Sequence, residues 1–209
     1  MSFTDLVQGT KTALSSDPAQ AQAKFEAHHD LVGPCEVTVK VGSGHKFTVD
    51  EPEALGGGNV AANPVEYALA ALGSCQAITY RVWAAQLGIK LDKVEISIDG
   101  DIDLRGFFGI DDGIRAGFNT VRINVSLGGP ESAARYEELA EAVDAHCPVL
   151  DLFRNPEAAA DSAHRRPAKL EYSVTAPVAS NATAKKRLIG WMSDNTDLGP
   201  RKGNNLWGY

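Results

Sequence analysis

The stretch NPVEYALAALGSCQAITYRVWAAQLG, residues 63–88, carries the clearest indication of the fold of this chain. Asn63 is a favourable N-cap, Pro64 suits the first position of a helix, and Gly88 favours the end of one. The stretch therefore predicts a helix over residues 64–87. At the rise per residue of an α-helix, it would be roughly 36 Å long.

This predicted helix has almost no polar face. Glu66 and Arg81 are its only charged residues. A helix that is apolar nearly all round is normally buried on all sides. Because a chain of 209 residues offers limited cover, the pattern predicts that a second subunit packs against part of this helix.

Strand patterns flank the helix on both sides. Apolar and polar residues alternate over 35–41, and a glycine-containing loop then leads into a second short run over 45–49, which together predict a hairpin. Similar periodicity predicts further strands over 94–98, 121–127 and 170–174, and helices over 1–30 and 131–145. Since strands and helices do not alternate regularly, we predict an α+β fold with helices packed against antiparallel sheet.

Composition excludes several classes of protein. The chain has 44% hydrophobic and 22% charged residues, which are values typical of globular domains. Its net charge of -7 disfavours nucleic acid and anionic membrane surfaces as partners. The first thirty residues lack the apolar core of a signal peptide, and no run of eighteen apolar residues occurs, so we predict a cytoplasmic protein. Its histidines lack metal-ligand spacing, and no metal site is expected.

The three cysteines are too few for a disulfide framework of the secreted type. Cys35 shares an alternating apolar face with valines and is expected in the core. Cys75 lies in the middle of the long predicted helix. Cys147 precedes Pro148, so its thiol is expected at the N-terminus of a short helix, where the helix dipole favours thiolate. Taken singly, each of these cysteines is compatible with a purely structural role.

Four segments of this sequence together resemble the OsmC/Ohr family. They are HKFTVDEPEALGGGN, ALGSC within the long helix, DLRGFFGIDDGIRAGF, and CPVLDLF, which begins seventy-two residues after Cys75. The resemblance spans about residues 35–178. It implies an OsmC-like fold, in which antiparallel sheets wrap around a long buried central helix in an entwined homodimer. We accordingly predict an N-terminal helical extension over 1–34, an OsmC-like domain over 35–178 and a C-terminal extension over 179–209.

The resemblance also implies a function, that of a thiol-dependent peroxidase acting on organic hydroperoxides. By this likeness Cys75 attacks the peroxide and Cys147 resolves the resulting sulfenic acid. An external thiol or dithiol, of lipoyl type for example, then restores the enzyme, and no other cofactor is implied. Phe107, Phe108 or Phe118 would line an apolar pocket that favours organic hydroperoxides over hydrogen peroxide.

The sequence departs from the family pattern at the two charged residues that the family uses beside the reactive cysteine. Family enzymes use an arginine from the first hairpin loop, steadied by a glutamate early in the helix, whereas this loop reads Gly-His-Lys over residues 44–46. Glu66 is the candidate glutamate, yet it lies nine residues before Cys75 and hence on the opposite side of an ideal helix. It is equally explained as a favourable charge in the first turn. Candidates for the missing cation are His45, Lys46, Arg105 and Arg115.

Two alternatives to the enzyme therefore stay open. The first is a non-catalytic homodimer that uses the same fold to bind an apolar small molecule, which the absent hairpin arginine favours. The second is a thiol redox sensor whose disulfide alters a contact with a partner. The presence of both Cys75 and Cys147 favours the peroxidase.

Overall fold

The structure is a computed structural model that describes residues 1–155, 169–175 and 186–187. Its helices are α1 (Phe3–Ser16), α2 (Pro64–Leu87), α3 (Leu104–Phe107), α4 (Ala133–His146) and α5 (Pro148–Arg154). Its strands are β1 (Ala27–Leu31), β2 (Val37–Val41), β3 (Lys46–Val49), β4 (Lys93–Asp101), β5 (Thr120–Gly128), β6 (Lys169–Thr175) and β7 (Lys186–Arg187).

The strands form two sheets. One contains β1, β2 and β3 in that order, and the other contains β4, β5, β6 and β7. Every pairing is antiparallel except that between β5 and β6, which is parallel. The predicted α+β class with antiparallel sheet is confirmed. The parallel pair is an addition, because α4 and α5 lie in the connection between β5 and β6 and return the chain to the same end of the sheet.

Helix α2 begins and ends at the predicted residues. The side chain of Asn63 accepts a hydrogen bond from the Glu66 N–H, and the Glu66 carboxylate accepts one from the Asn63 N–H. This capping box satisfies two backbone donors that the first turn leaves free. At the other end Gly88 adopts the left-handed conformation, with φ of 64°, which only glycine adopts without strain.

The core lies between α2, α4, α5 and the sheet of β4 and β5. Along β5 alternate side chains are buried, as the predicted period of two requires: Val121, Ile123, Val125 and Leu127. Helix α4 contributes Leu139 and Val143, and α5 contributes Leu150. Each such side chain stabilises the fold by roughly 1.5–3 kcal/mol through removal from water.

One side of α2 is exposed in the single chain. Leu72, Gln76 and Tyr80 face the core and are fully buried, whereas Ser74 is exposed and Ile78 keeps 65% of its surface accessible. The single chain thus buries one side of the helix rather than its whole circumference. The prediction that a second subunit covers the remainder stays a prediction.

The predicted helix over residues 1–30 is confirmed only in part. Helix α1 covers Phe3–Ser16, but Ala27–Leu31 forms strand β1, paired in antiparallel fashion with β2. All five residues of β1 are exposed, so backbone pairing rather than apolar alternation makes this segment a strand. The predicted C-terminal extension lies outside the described residues except for Lys186–Arg187, and the three domain boundaries stay predictions. Within the part of the chain that the structure describes, no helix is both long and apolar enough to cross a bilayer.

Candidate active site

The structure brings Cys75 and Cys147 together. Their Sγ atoms lie 3.5 Å apart, although 72 residues separate them along the chain, and the contact has the geometry of a hydrogen bond donated by Cys147. A disulfide requires a sulfur–sulfur separation of about 2.05 Å. The two sulfurs therefore need to approach by only ~1.5 Å, a displacement within the range of side-chain rotation.

Cys147 is held at the junction of two helices. Its backbone N–H donates to the Val143 carbonyl at the end of α4, and its own carbonyl accepts from the Asp151 N–H in α5, both at 3.0 Å. The fully buried side chains of Val143 and Leu150 anchor the two helices on either side. The prediction that Cys147 occupies the N-cap of a helix begun by Pro148 is confirmed.

The expectation that the N-terminus of α5 favours the thiolate of Cys147 is wrong in its net direction, because the pKa of this thiol is raised. Burial raises the pKa of Cys147, the neighbouring Cys75 sulfur raises it further, and contacts with the Leu150 backbone and the Thr79 hydroxyl only partly oppose this. The side chain is 2% exposed, and removal from water disfavours the charged form more than one short helix favours it. Cys147 is therefore a neutral thiol near pH 7, suited to donate a hydrogen bond.

Cys75 lies at the edge of the core, partly buried on α2. Thr79 lies one turn further along, where its hydroxyl donates to the Cys75 carbonyl oxygen at 2.8 Å. The Sγ atom of Cys75 faces the thiol of Cys147 across the 3.5 Å contact. Thr79 was not predicted from the sequence; its position one turn after Cys75 was the available signal.

Within residues 1–155, no cationic side chain is hydrogen-bonded to the thiol pair. Neither sulfur makes a hydrogen bond to a lysine, arginine or histidine side chain in that part of the chain. Among the four predicted candidates, Arg105 is engaged by Asp103, with Nε 2.9 Å from one carboxylate oxygen and Nη2 2.5 Å from the other. His45 is exposed on the turn between β2 and β3, and Lys46 is exposed as the first residue of β3.

Glu66 has the contacts of a helix cap. Its carboxylate is exposed and accepts the Asn63 N–H at 2.9 Å. Nine residues of helix separate it from Cys75, which is ~13.5 Å along the axis. The interpretation as a first-turn charge is confirmed by this capping box, and the catalytic role predicted for Glu66 stays a prediction.

Cys35 is separate from this site. It is half-buried before β2, and its thiol donates to the Leu55 carbonyl at 3.5 Å. This contact joins the first sheet to the loop that precedes α2. Cys35 therefore serves as a built-in control when thiol reactions are counted.

The predicted aromatic pocket is not formed as expected. Phe107 and Phe108 are exposed and pack on each other with ring centroids 5.0 Å apart, while Phe118 packs against Phe153. An open apolar groove of about 360 Å³ lies instead between α2 and β4, and its lining includes Leu69, Gly73, Ala77, Ile96 and Ile98.

This groove lies away from the thiols. Gly73 and Ala77 are each two residues from Cys75, which on a helix places them ~160° around the axis from it. The groove and the thiol pair therefore occupy opposite flanks of α2. No group of histidine, cysteine and carboxylate side chains that could hold a metal ion occurs among the described residues.

The chain is similar to proteins of a known family. Residues 56–159 match the family model of the OsmC-like proteins, which confirms the resemblance to the OsmC/Ohr family over this part of the chain. No functionally curated protein matches it significantly in sequence.

Solved structures of the same fold come from several bacteria. An OsmC-like protein of Mycoplasma pneumoniae is 17% identical, with a TM-score of 0.60 over 74% of this chain and 98% of that one. An organic hydroperoxide resistance protein of Legionella pneumophila is 18% identical, with a TM-score of 0.53 over 75% and 98%. An organic hydroperoxide resistance protein of Elizabethkingia anophelis is 20% identical, with a TM-score of 0.53 over 74% and 96%. At these identities the likeness establishes the fold.

Proposed function

We propose that this protein is a thiol-dependent peroxidase that reduces organic hydroperoxides. The observation that carries the proposal is the 3.5 Å separation of Cys75 Sγ and Cys147 Sγ. The match to the OsmC-like family model supports a function in peroxide resistance or thiol redox chemistry. The relatives from Legionella and Elizabethkingia, which are described as organic hydroperoxide resistance proteins, support the same substrate class.

In the first step the Cys75 thiolate attacks the terminal oxygen of the hydroperoxide. A sulfur–oxygen bond forms, the oxygen–oxygen bond breaks, and the alkoxide leaves as an alcohol after taking a proton. Cys75 becomes a sulfenic acid and the peroxide is reduced by two electrons. The thiol of Cys147, directed at Cys75, stabilises negative charge there before the attack.

In the second step Cys147 captures the sulfenic acid. Its sulfur bonds to Cys75 Sγ, the sulfur–oxygen bond breaks, and the hydroxide leaves as water with the thiol proton. The capture competes with further oxidation of Cys75, which is irreversible beyond the sulfenic stage. An external dithiol, such as a lipoyl group, then exchanges with the disulfide and completes the cycle without a metal or organic cofactor.

We further propose that the active form is a homodimer in the cytoplasm. The exposed side of α2, with Ile78 at its centre, and exposed apolar residues of the first sheet region, Leu31, Val32 and Phe47, offer a surface for a second copy. A cation contributed across that interface would supply a positive charge that residues 1–155 of the same chain do not hydrogen-bond to Cys75. The net charge of -7 argues against nucleic acid or membrane partners.

A second candidate function is the binding of an apolar small molecule without catalysis. The groove between α2 and β4 supports it, because its volume of about 360 Å³ suits a small ligand and most of its lining side chains are apolar, with Ser74 as the polar one. The thiol pair would then have a structural role or would act as a redox sensor. The two functions are separable because the groove and the thiols lie on opposite flanks of α2.

Counting thiols tests the peroxidase directly. One equivalent of an alkyl hydroperoxide is added to the reduced protein, and free thiols are counted after denaturation. We expect the wild type to lose two of its three thiols as an intramolecular disulfide. We expect Cys75→Ser to lose none at comparable speed, and Cys147→Ser to accumulate a sulfenic acid at Cys75. Cys35→Ser is the matched control and should retain the wild-type reaction.

Two outcomes of this experiment would contradict the peroxidase. Unchanged thiols in the wild type would reject the peroxidase and leave the binding function. Rapid formation of the disulfide without turnover when dithiol and peroxide are both in excess would instead identify a redox sensor.

A further inference from the structure

An ion pair joins the two helices that meet at Cys147. Nη1 of Arg154, the last residue of α5, donates to the Asp144 carbonyl at 2.7 Å. Nη2 of the same guanidinium lies 3.2 Å from Oδ2 of the Asp144 carboxylate. Asp144 belongs to the last turn of α4, so the pair connects the far end of α5 back to the helix before it.

The pair is largely removed from water. The side chains of Arg154 and Asp144 are 24% and 11% exposed, unlike the ion pairs on the sheet surface, such as that between Arg122 and Asp99. A half-buried charge is tolerated because its partner is held close, and loss of Arg154 would remove the positive charge that lies 3.2 Å from the Asp144 carboxylate. The contact is therefore a stronger constraint on geometry than a solvent-exposed pair.

Helix α5 depends on such a constraint. It has seven residues, too few for an isolated helix to be stable in water. Leu150 near its start is fully buried and Phe153 near its end packs partly buried against the core, while Arg154 joins that end to α4. Because Cys147 is the single residue between α4 and α5, the angle between these helices fixes the position of Cys147 Sγ relative to α2.

We propose that Arg154 and Asp144 form a clamp that positions Cys147 for capture of the Cys75 sulfenic acid. The inference rests on the proposed peroxidase function and deepens it. Neither residue contacts a sulfur atom within the described structure, so both act through the helix junction as positioning residues. The clamp governs the second chemical step, in which the sulfur–sulfur bond forms and water leaves, and not the attack on peroxide.

The test measures the fate of the sulfenic acid in a Cys35→Ser background. Reduced protein receives limiting alkyl hydroperoxide in the presence of dimedone, and mass spectrometry gives the ratio of Cys75 adduct to Cys75–Cys147 disulfide. We expect Arg154→Gln to raise this ratio roughly tenfold, since a misplacement of about 1 Å can cost ~100-fold in rate. The rate of Cys75 oxidation by peroxide should stay unchanged, which a general loss of structure would not allow.

Matched variants make the result specific. Arg154→Lys keeps the charge beside Asp144 and should restore most of the disulfide, whereas Arg122→Gln removes a surface ion pair and should have no effect. An adduct-to-disulfide ratio in Arg154→Gln equal to that of the wild type would overturn the clamp. If Arg154→Gln does not fold, the double variant Arg154→Gln with Asp144→Asn removes both charges of the pair, and the same ratio of adduct to disulfide is measured in it.

A second measurement separates failure of the clamp from failure of the peroxidase. Equilibration with glutathione redox buffers gives the effective concentration of Cys147 towards Cys75 without any peroxide. If the wild type forms neither adduct nor disulfide with peroxide, the proposed function is rejected, yet this equilibrium still tests the clamp. A lower effective concentration in Arg154→Gln supports the clamp, and an unchanged one rejects it.

Discussion

The indole of Trp83 stacks on the imidazole of His146, with ring centroids 4.1 Å apart and ring planes inclined by 33°. Trp83 lies eight residues beyond Cys75 on α2, and His146 directly precedes Cys147. The ring of His146 is also fixed by a 2.7 Å contact between Nδ1 and the Ala142 carbonyl oxygen. The stacked rings thus join the same two parts of the fold as the thiols do.

This contact makes Trp83 a reporter of the redox state. Formation of the Cys75–Cys147 disulfide requires rotation of both cysteine side chains next to the elements that carry the stacked rings, so we expect the emission of Trp83 to change on oxidation. The measurement compares emission spectra of reduced and diamide-oxidised protein. Trp83→Phe should abolish the change although the other two tryptophans remain. The same change in Trp83→Phe would contradict the assignment.

The buried thiol of Cys147 predicts a dependence of stability on pH. Its pKa is raised in the folded state, chiefly by burial, so the folded protein holds this proton more tightly than the unfolded chain. The contribution to stability is complete below the ordinary thiol pKa of ~8.5 and is lost as pH rises through the folded value. We expect the free energy of unfolding of the reduced protein to fall above about pH 8.5, by at most ~1.4 kcal/mol per pH unit.

Urea unfolding of the reduced protein between pH 7 and 10 measures this slope. Cys147→Ser should remove the part of the slope that belongs to this thiol, while Cys35→Ser retains it. An identical slope in Cys147→Ser would show that other groups are responsible.

Substitutions in the capping box at the start of α2 distinguish a role in stability from a role in catalysis. Asn63→Ala removes an N-cap and should lower the free energy of unfolding by ~1 kcal/mol. Glu66→Gln should have little effect on stability, because glutamine also accepts the Asn63 N–H in a capping box. We expect Glu66→Gln to keep the wild-type rate of Cys75 oxidation. A large loss of that rate with unchanged stability would instead assign the carboxylate to the reaction.

Gln76, next to Cys75 on α2, is fully buried, and neither its amide nitrogen nor its amide oxygen has a hydrogen-bond partner within the described structure. An unsatisfied buried polar group costs ~1–3 kcal/mol. Gln76→Met keeps the length of the side chain and should raise the free energy of unfolding by roughly 1 kcal/mol. Thermal and denaturant unfolding measure the change, with Gln86→Met on the same helix as control. A loss of stability would indicate that the amide is satisfied by a buried water.

Local chemistry made the elements around the site predictable from the sequence. The bounds of α2 follow from Asn63, Pro64 and Gly88, whose preferences act within a few residues. Pro148 likewise placed Cys147 at a helix start. These signals need no knowledge of distant parts of the chain, and the structure confirms them.

Long-range pairing was not predictable in the same way. Strand β1 has no alternating apolar pattern and exists through its hydrogen bonds to β2. The parallel pairing of β5 with β6 depends on how the segment containing α4 and α5 returns to the sheet. Neither feature leaves a periodic signal in the sequence.

The thiol pair itself was predicted through resemblance to a family rather than from spacing. Burial of the Cys147 thiol could not be anticipated, because it depends on how α4 and α5 pack against α2. The same holds for the distance between the thiols and the candidate cations. Residue type and helix position indicate what chemistry is available, but only packing determines the local dielectric.

The position of Cys147 after β4, β5 and α4 has a consequence for the oxidised protein. A bond between the sulfurs would enclose the second half of α2, β4, α3, β5 and α4 in one covalent ring, and a cross-link over a loop of this size destabilises the unfolded chain by roughly 4 kcal/mol. The oxidised protein, which has consumed a peroxide and awaits a reductant, would therefore be more stable to unfolding than the reduced protein. Heat and proteases would inactivate mainly the reduced molecules, which are the ones ready to react with peroxide.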